Sequence, residues 1–137
     1  MKKTLLLTVA FALNYSANAQ WTAQNTNFTA ASRGVEDIKI VDANTVWALG
    51  YDGSSTTPAN VQEFTKTTNG GTTWTTGTVN VSNTGLTLTN ISAASSTVAW
   101  VGAVDAANGG GGVWKTSDGG ATWTKQNTSA YSTTGSL

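Results

Sequence analysis

Thr116-Ser117-Asp118-Gly119-Gly120-Ala121-Thr122-Trp123 and, 49 residues earlier, Thr67-Thr68-Asn69-Gly70-Gly71-Thr72-Thr73-Trp74 follow one pattern. A hydroxyl residue stands first, Asp or Asn two places on, Gly two further, and Trp three beyond that. Side chains of Asp and Asn accept hydrogen bonds from backbone N–H groups two or so residues later and so close a turn. Gly71 and Gly120 supply the positive φ that such a turn needs. Trp74 and Trp123 then fold back across it, each burying roughly 150–250 Å². Thr67, Asn69, Gly71, Trp74, Thr116, Asp118, Gly120 and Trp123 are thus expected to staple two hairpins. A carbohydrate or metal site at Asp118 is the competing reading, and chemistry of this kind ordinarily serves the turn itself.

The repetition extends outward from these turns. Trp-Thr opens three segments, at Trp21, Trp74 and Trp123, spaced by 53 and 49 residues. The stretches 21–26 and 123–128 share five of six residues. Ile38 to Trp47 matches Ile91 to Trp100 at an offset of 53, and Phe64-Thr65-Lys66-Thr67 aligns with Val113-Trp114-Lys115-Thr116. Three markers in one order define a repeat of about fifty residues. Thr, Ser, Asn and Gly abound, yet the regularly placed Trp and β-branched residues argue against disorder.

Each copy predicts four short strands, from alternating apolar residues between turn residues. They are expected near Val35–Val41, Thr45–Leu49, Gln62–Thr67 and Thr73–Val79, then near Leu88–Ala93, Thr97–Ala103, Gly112–Thr116 and Thr122–Asn127. No stretch after residue 19 has helical periodicity. Four strands in a repeat of this length point to an all-β fold of β-propeller blades, each four-stranded and antiparallel, with about two blades present.

The turn motif resembles the Asp-box, or BNR repeat, of sialidases, some xyloglucan-active glycosidases, sortilin-type receptors and photosystem II assembly factors. The copy at 116–123 matches fully, and the copy at 67–74 carries Asn for Asp. The resemblance covers nearly all of the chain after its leader. It implies a propeller segment over 20–137, with a strand at 21–27, blades at 34–80 and 86–128, and the start of a further connection at 129–137. In such proteins one chain end often completes the last blade, which assigns that role to the strand at 21–27. The sequence is also similar in style to long exported Bacteroidetes proteins that carry such repeats and a C-terminal sorting domain for type IX secretion. That domain is not recognisable in these residues, so attachment to the cell surface stays open.

Residues 1–19 have the three parts of a signal peptide. Lys2 and Lys3 lead, Thr4 to Leu13 form a ten-residue apolar core, and Ala17-Asn18-Ala19 provides the cleavage pattern before Gln20. A buried helix or a membrane anchor is the alternative. The apolar run is short of the about 20 residues that span a bilayer, and no Cys follows to carry a lipid. The chain is therefore expected outside the cell or at its surface, with the periplasm as the other destination and no membrane span after cleavage.

Composition limits the chemistry. There is no His and no Cys, and charged residues make up only 10% of the chain. His-dependent bases, disulfides and zinc sites with N/S ligands are thereby removed. No basic patch suggests nucleic acid as a partner. No cofactor, no metal and no catalytic residue is expected. Gly109 to Gly112 with Lys115-Thr116 lacks the adjacent Gly-Lys-Ser/Thr and the helix of a phosphate loop. Asp52-Gly53 and Asp105 to Gly109 have too few oxygen ligands for a calcium loop. Asn-x-Ser/Thr triplets at Asn27, Asn80, Asn90 and Asn127 follow from composition. A sialidase grips its substrate carboxylate with three arginines, and this chain has Arg33 alone. Glu36, Asp37, Asp52 and Asp105 show no spacing that pairs two acids across a cleft.

Successive turns of an up-and-down blade alternate between its two ends. With the motif joining strands three and four, the loops at Gly50–Val61, Asp105–Gly111, Phe28–Gly34 and Asn80–Gly85 share the opposite end. Loops on a rigid scaffold are where function usually sits, so Arg33, Tyr51, Asp52, Asp105 and Asn108 form the candidate ligand-binding face, for a glycan or a protein. The leading expectation is a secreted, non-catalytic binding or scaffold module, as an N-terminal fragment of a larger protein. The alternatives are the N-terminal part of an extracellular, sialidase-like glycosidase and a self-assembling propeller lectin. Propellers have about four to eight blades, so either further blades of a longer protein or other copies of this chain, as a homo-oligomer, are expected to complete the ring.

Overall fold

The computed structural model describes residues 22–127 apart from Ser55, Thr57 and Ala106. Residues 1–21, with the expected signal peptide and Trp21, and residues 128–137 lie outside the described residues. Among the described residues eight strands form and no helix. β1 (Arg33–Ile40), β2 (Val46–Asp52), β3 (Glu63–Thr67) and β4 (Thr75–Thr78) make one antiparallel sheet in sequence order. β5 (Thr87–Ala93), β6 (Ala99–Val104), β7 (Gly111–Thr116) and β8 (Thr124–Lys125) make a second with the same order. Each lies within a few residues of its expected position. The sheets do not close into a ring.

The repeat persists in the register. A bulge interrupts β1 between Val35 and Asp37, and another interrupts β5 between Leu88 and Asn90. In the first β1–β2 turn, Asp42 Oδ1 accepts the amides of Asn44 and Thr45, both at 2.8 Å. In the equivalent β5–β6 turn, Ser95 Oγ accepts the amides of Thr97 and Val98 at 3.1 and 3.0 Å. Different side chains thus close one turn, because either oxygen reaches the same two donors.

Strand alternation gives each sheet two faces. The front of the first sheet carries Trp47, Leu49, Phe64 and Lys66, and packs on the back of the second, which carries Leu88, Ile91, Ala93, Val101 and Trp114. These apolar residues form one continuous core. The Trp123 ring joins it edge-on, 6.5 Å from Trp47 and 5.8 Å from Phe64 between centroids. Three buried Thr side chains, Thr65, Thr67 and Thr116, lie on back faces, where strand neighbours and turns use their hydroxyls.

Two expectations are corrected. The strand placed at 21–27 is not formed over its described residues 22–27. That segment crosses the back of the first sheet, and hydroxyls of the sheet take its carbonyls in place of a ladder. Thr65 Oγ1 donates to the Thr26 carbonyl at 2.7 Å and Thr76 Oγ1 to the Asn27 carbonyl at 2.6 Å. The Asn27 side chain in turn donates to the Trp74 carbonyl at 2.8 Å. Fourth strands also start later than expected, at Thr75 and Thr124, because Asn69 and Asp118 hold the amides of Thr73 and Thr122, both at 2.9 Å.

Candidate functional site

The two motif turns are built alike, and their hub is the first hydroxyl. Thr116 Oγ1 donates to Asp118 Oδ1 at 2.8 Å and accepts the Gly120 amide at 2.9 Å. Thr67 Oγ1 donates to Asn69 Oδ1 at 2.9 Å and accepts the Gly71 amide at 3.0 Å. The fourth partner differs in polarity. Thr122 Oγ1 donates to Asp118 Oδ2 at 2.6 Å, whereas Asn69 Nδ2 donates to Thr73 Oγ1 at 2.9 Å. Hydrogen bonds from the Thr122 hydroxyl, the Thr122 amide and the Thr116 hydroxyl pull the Asp118 carboxyl down to about 2. Both oxygens of Asp118 are thereby engaged within the turn. Gly71 and Gly120 stand at φ +87° and +93°. Trp74 Nε1 and Trp123 Nε1 are buried without a hydrogen-bond partner among the described residues.

The loop end opposite these turns gathers the candidate face into two groups. Arg33, Tyr51 and Asp52 meet where β1 begins and β2 ends. Arg33 forms ion pairs with Asp52 at 3.4 Å and with Glu63 at 3.3 Å. Asp52 Oδ2 accepts the Ala59 amide at 2.9 Å, and Oδ1 accepts the Ser54 amide at 3.1 Å and the Ser32 hydroxyl at 3.0 Å. Those bonds, the Ala59 amide foremost, hold the Asp52 carboxyl down at about 2. Glu63 feels burial, which raises its carboxyl, but the Thr29 hydroxyl and amide and Arg33 outweigh it and leave the group below its ordinary value. Tyr51 lies with its ring across Gly34 and is half exposed.

Asp105 and Asn108 form the second group, in the β6–β7 hairpin. Asp105 Oδ1 accepts the amides of Ala107 and Asn108 at 3.0 and 2.9 Å, and Oδ2 accepts Asn108 Nδ2 at 3.2 Å. The Asn108 amide and side chain are the main cause that lowers the Asp105 carboxyl. Beside them lies a cavity of about 350 Å³, lined in part by Asn83, Asp105, Trp114 and Lys125. Lys125 Nζ stands 5.1 Å from the Trp114 ring centroid. The two groups are joined through the 80–86 connection, where Gln62 Nε2 donates to the carbonyls of Asn83 and Leu86 at 2.7 and 3.0 Å.

Sequence reading missed Glu63, Thr29 and Gln62. Glu63 is the single acid of β3, which was a usable signal, but its pairing with Arg33 spans thirty residues and depends on how β1 and β3 flank β2. The end face offers amides, hydroxyls and one phenol to a polar ligand, while its carboxylates are turned into their own loops. Among the described residues, no group of three or more Asp or Glu gathers to hold a metal ion, and no helix is long and apolar enough to cross a membrane.

No family model matches the chain, and no curated protein and no solved structure matches it at a significant level.

Proposed function

We propose that this chain is a secreted, non-catalytic module of Asp-box β-propeller type, which displays a loop face for a glycan or protein ligand. The observation that carries the reading is the repeated stacking unit. Two sheets share one strand order, one pair of bulges and one hydroxyl-centred turn, and the front of one seats on the back of the next. A unit that buries its face only against a neighbour is the logic of repeat architectures. Blades of a propeller stack in this manner.

The non-catalytic part of the reading is supported by how the acids are spent. Asp42, Asp52, Asp105 and Asp118 each accept backbone amides of their own turn, and hydrogen bonding holds all four below their ordinary values. A general acid needs the reverse, a carboxyl raised toward neutral pH. Arg33, the one residue suited to grip a carboxylate, is clamped between Asp52 and Glu63.

A glycan array probed with residues 20–137, together with hydrolysis of a panel of fluorogenic glycosides, tests the proposal. Binding that is lost on Tyr51→Ala or Asn108→Ala, without hydrolysis above background, is the expected result. Turnover of any glycoside overturns the non-catalytic reading. Binding that survives alanine at Arg33, Tyr51, Asp52, Asp105 and Asn108 together overturns the assignment of the face.

A further inference from the structure

The sheet-to-sheet contact inside the chain has a specific chemistry. Trp47 Nε1 donates to the Ser95 carbonyl at 3.0 Å, and Lys66 Nζ donates to the carbonyls of Ser96 and Gly119, both at 2.9 Å. Asp37 Oδ2 accepts the Ile91 amide at 2.8 Å. Phe64 lies against Gly120, and Trp123 packs on Phe64 and Trp47.

Two residues of that contact, Trp47 and Lys66, recur on the front of the second sheet, where Asn and Val replace Asp37 and Phe64. Trp100, Lys115, Asn90 and Val113 stand in the register of Trp47, Lys66, Asp37 and Phe64. Lys115 Nζ already sits 5.3 Å from the Trp100 ring centroid, as Lys66 sits 4.5 Å from that of Trp47. Among the described residues, neither Trp100 Nε1 nor Lys115 Nζ has a hydrogen-bond partner, and Val113 is exposed.

The receiving side recurs on the back of the first sheet. Asp42, Ala43 and Gly70 carry the carbonyls equivalent to those of Ser95, Ser96 and Gly119. On β5, Leu88, Ile91 and Ala93 are 2%, 5% and 7% exposed. Their β1 counterparts Val35, Ile38 and Ile40 are 44%, 55% and 65% exposed. Trp74, the counterpart of Trp123, faces a groove of about 300 Å³ edged by Gln24, Asn25 and Asn27. An apolar stripe of this kind marks a surface that lacks its neighbour.

We infer that the front of the second sheet docks on the back of the first sheet of another copy of this chain, head to tail, and that residues 22–29 are a cover which the docking displaces. Lys115 then reaches the Ala43 and Gly70 carbonyls, Trp100 reaches the Asp42 carbonyl, and Val113 meets Gly71. The cover follows from position. Gln24 Oε1 lies 2.8 Å from where a Cβ of Gly71 would stand, and the Phe64 ring lies 2.3 Å from the same point at Gly120. Gln24 therefore holds the place that a docking side chain needs. The inference deepens the module reading and rests on its repeat. A contact between two different surfaces propagates, so it builds a ring or an open chain of copies.

Light scattering after size exclusion, over a wide range of concentration, tests it on residues 20–137. A mass that rises above one chain with concentration is expected. Lys115→Glu spoils only the front face and Ile40→Lys only the back, and each is expected to weaken association at least tenfold. Mixed in equal amounts, the two variants pair through their intact faces and stop at a dimer. Trp100→Ala and Ile38→Ser serve if near-UV circular dichroism shows that a charge variant has lost its fold. A monomer at every concentration overturns the inference, as does association that both variants leave unchanged. Either of those results leaves the module reading standing, since glycan binding and hydrolysis test it separately.

Discussion

Lys66 Nζ on the first sheet donates to the Gly119 carbonyl of the second at 2.9 Å while standing 4.5 Å from the Trp47 ring centroid. One side chain thus links the stacking of the sheets to the motif turn of the second. Burial holds the Lys66 ammonium below its ordinary value, and Asp118 opposes that shift. The two carbonyls on Nζ replace part of its lost hydration, which is what a half-buried charge requires.

Lys66→Met keeps the aliphatic stem over Trp47 and removes both hydrogen bonds. Charged hydrogen bonds of this kind contribute about 1.5–3 kcal/mol each where no water replaces them. Urea unfolding is expected to show a lower midpoint with an unchanged slope. An unchanged midpoint would show that Lys66 is spectator to the stacking.

Gly120→Ala and Gly109→Ala separate backbone strain from steric conflict. Both residues have positive φ, +93° and +73°. A Cβ at Gly120 would meet the Phe64 ring at 2.3 Å, while one at Gly109 would meet nothing within 4 Å. Gly109→Ala is expected to cost about 1 kcal/mol, the ordinary penalty of a left-handed residue. Gly120→Ala is expected to cost several times as much and to disturb the near-UV signal of Trp47 and Trp123. Equal losses in thermal unfolding would count against the Phe64 contact.

Asp118→Asn tests the carboxylate of the second motif turn. The folded value lies at about 2 against an unfolded value of 3.8. A carboxyl whose value is depressed on folding adds stability that is fully present above the unfolded value. That stability is lost as the pH falls from about 4 through about 2. Asn69 shows that an amide can hold the same turn at neutral pH. The variant is therefore expected to fold, to be less stable than the parent near pH 7, and to lose less stability between pH 4 and pH 2. Parallel acid limbs for the two proteins would refute the assignment.

Asn27→Ala loosens the cover on the first sheet. It removes the bond to the Trp74 carbonyl and places Ala at φ +55°, a region that Asn tolerates and Ala does not. If the segment competes with docking, the variant is expected to associate more strongly than the parent, with little change in unfolding midpoint. Equal or weaker association would show that the segment is no obstacle.

Much of this was legible in the order of residues. Turn residues at Asp42, Asn69, Ser95 and Asp118 act within four residues of themselves, so short-range chemistry locates them. Strand alternation and the offsets between copies predicted four strands per repeat, because a half-buried sheet needs a period of two. The candidate face was legible only as a set of loops. Arg33 reads as a free cation in sequence, and its clamp between Asp52 and Glu63 arises from three strands meeting at one end.

What the sequence alone determined is the unit, a four-stranded antiparallel sheet with an Asp/Asn-Gly turn between its last two strands, because each of its rules operates over a few neighbouring residues. What only the tertiary structure decided is how the units and their ends are used. Equivalent residues Ile38 and Ile91 differ from exposed to buried. The segment at 22–27, which reads as a strand, lies instead across a sheet face. Both outcomes depend on which surface another part of the molecule covers, and burial is a property of that neighbour as much as of the residue itself.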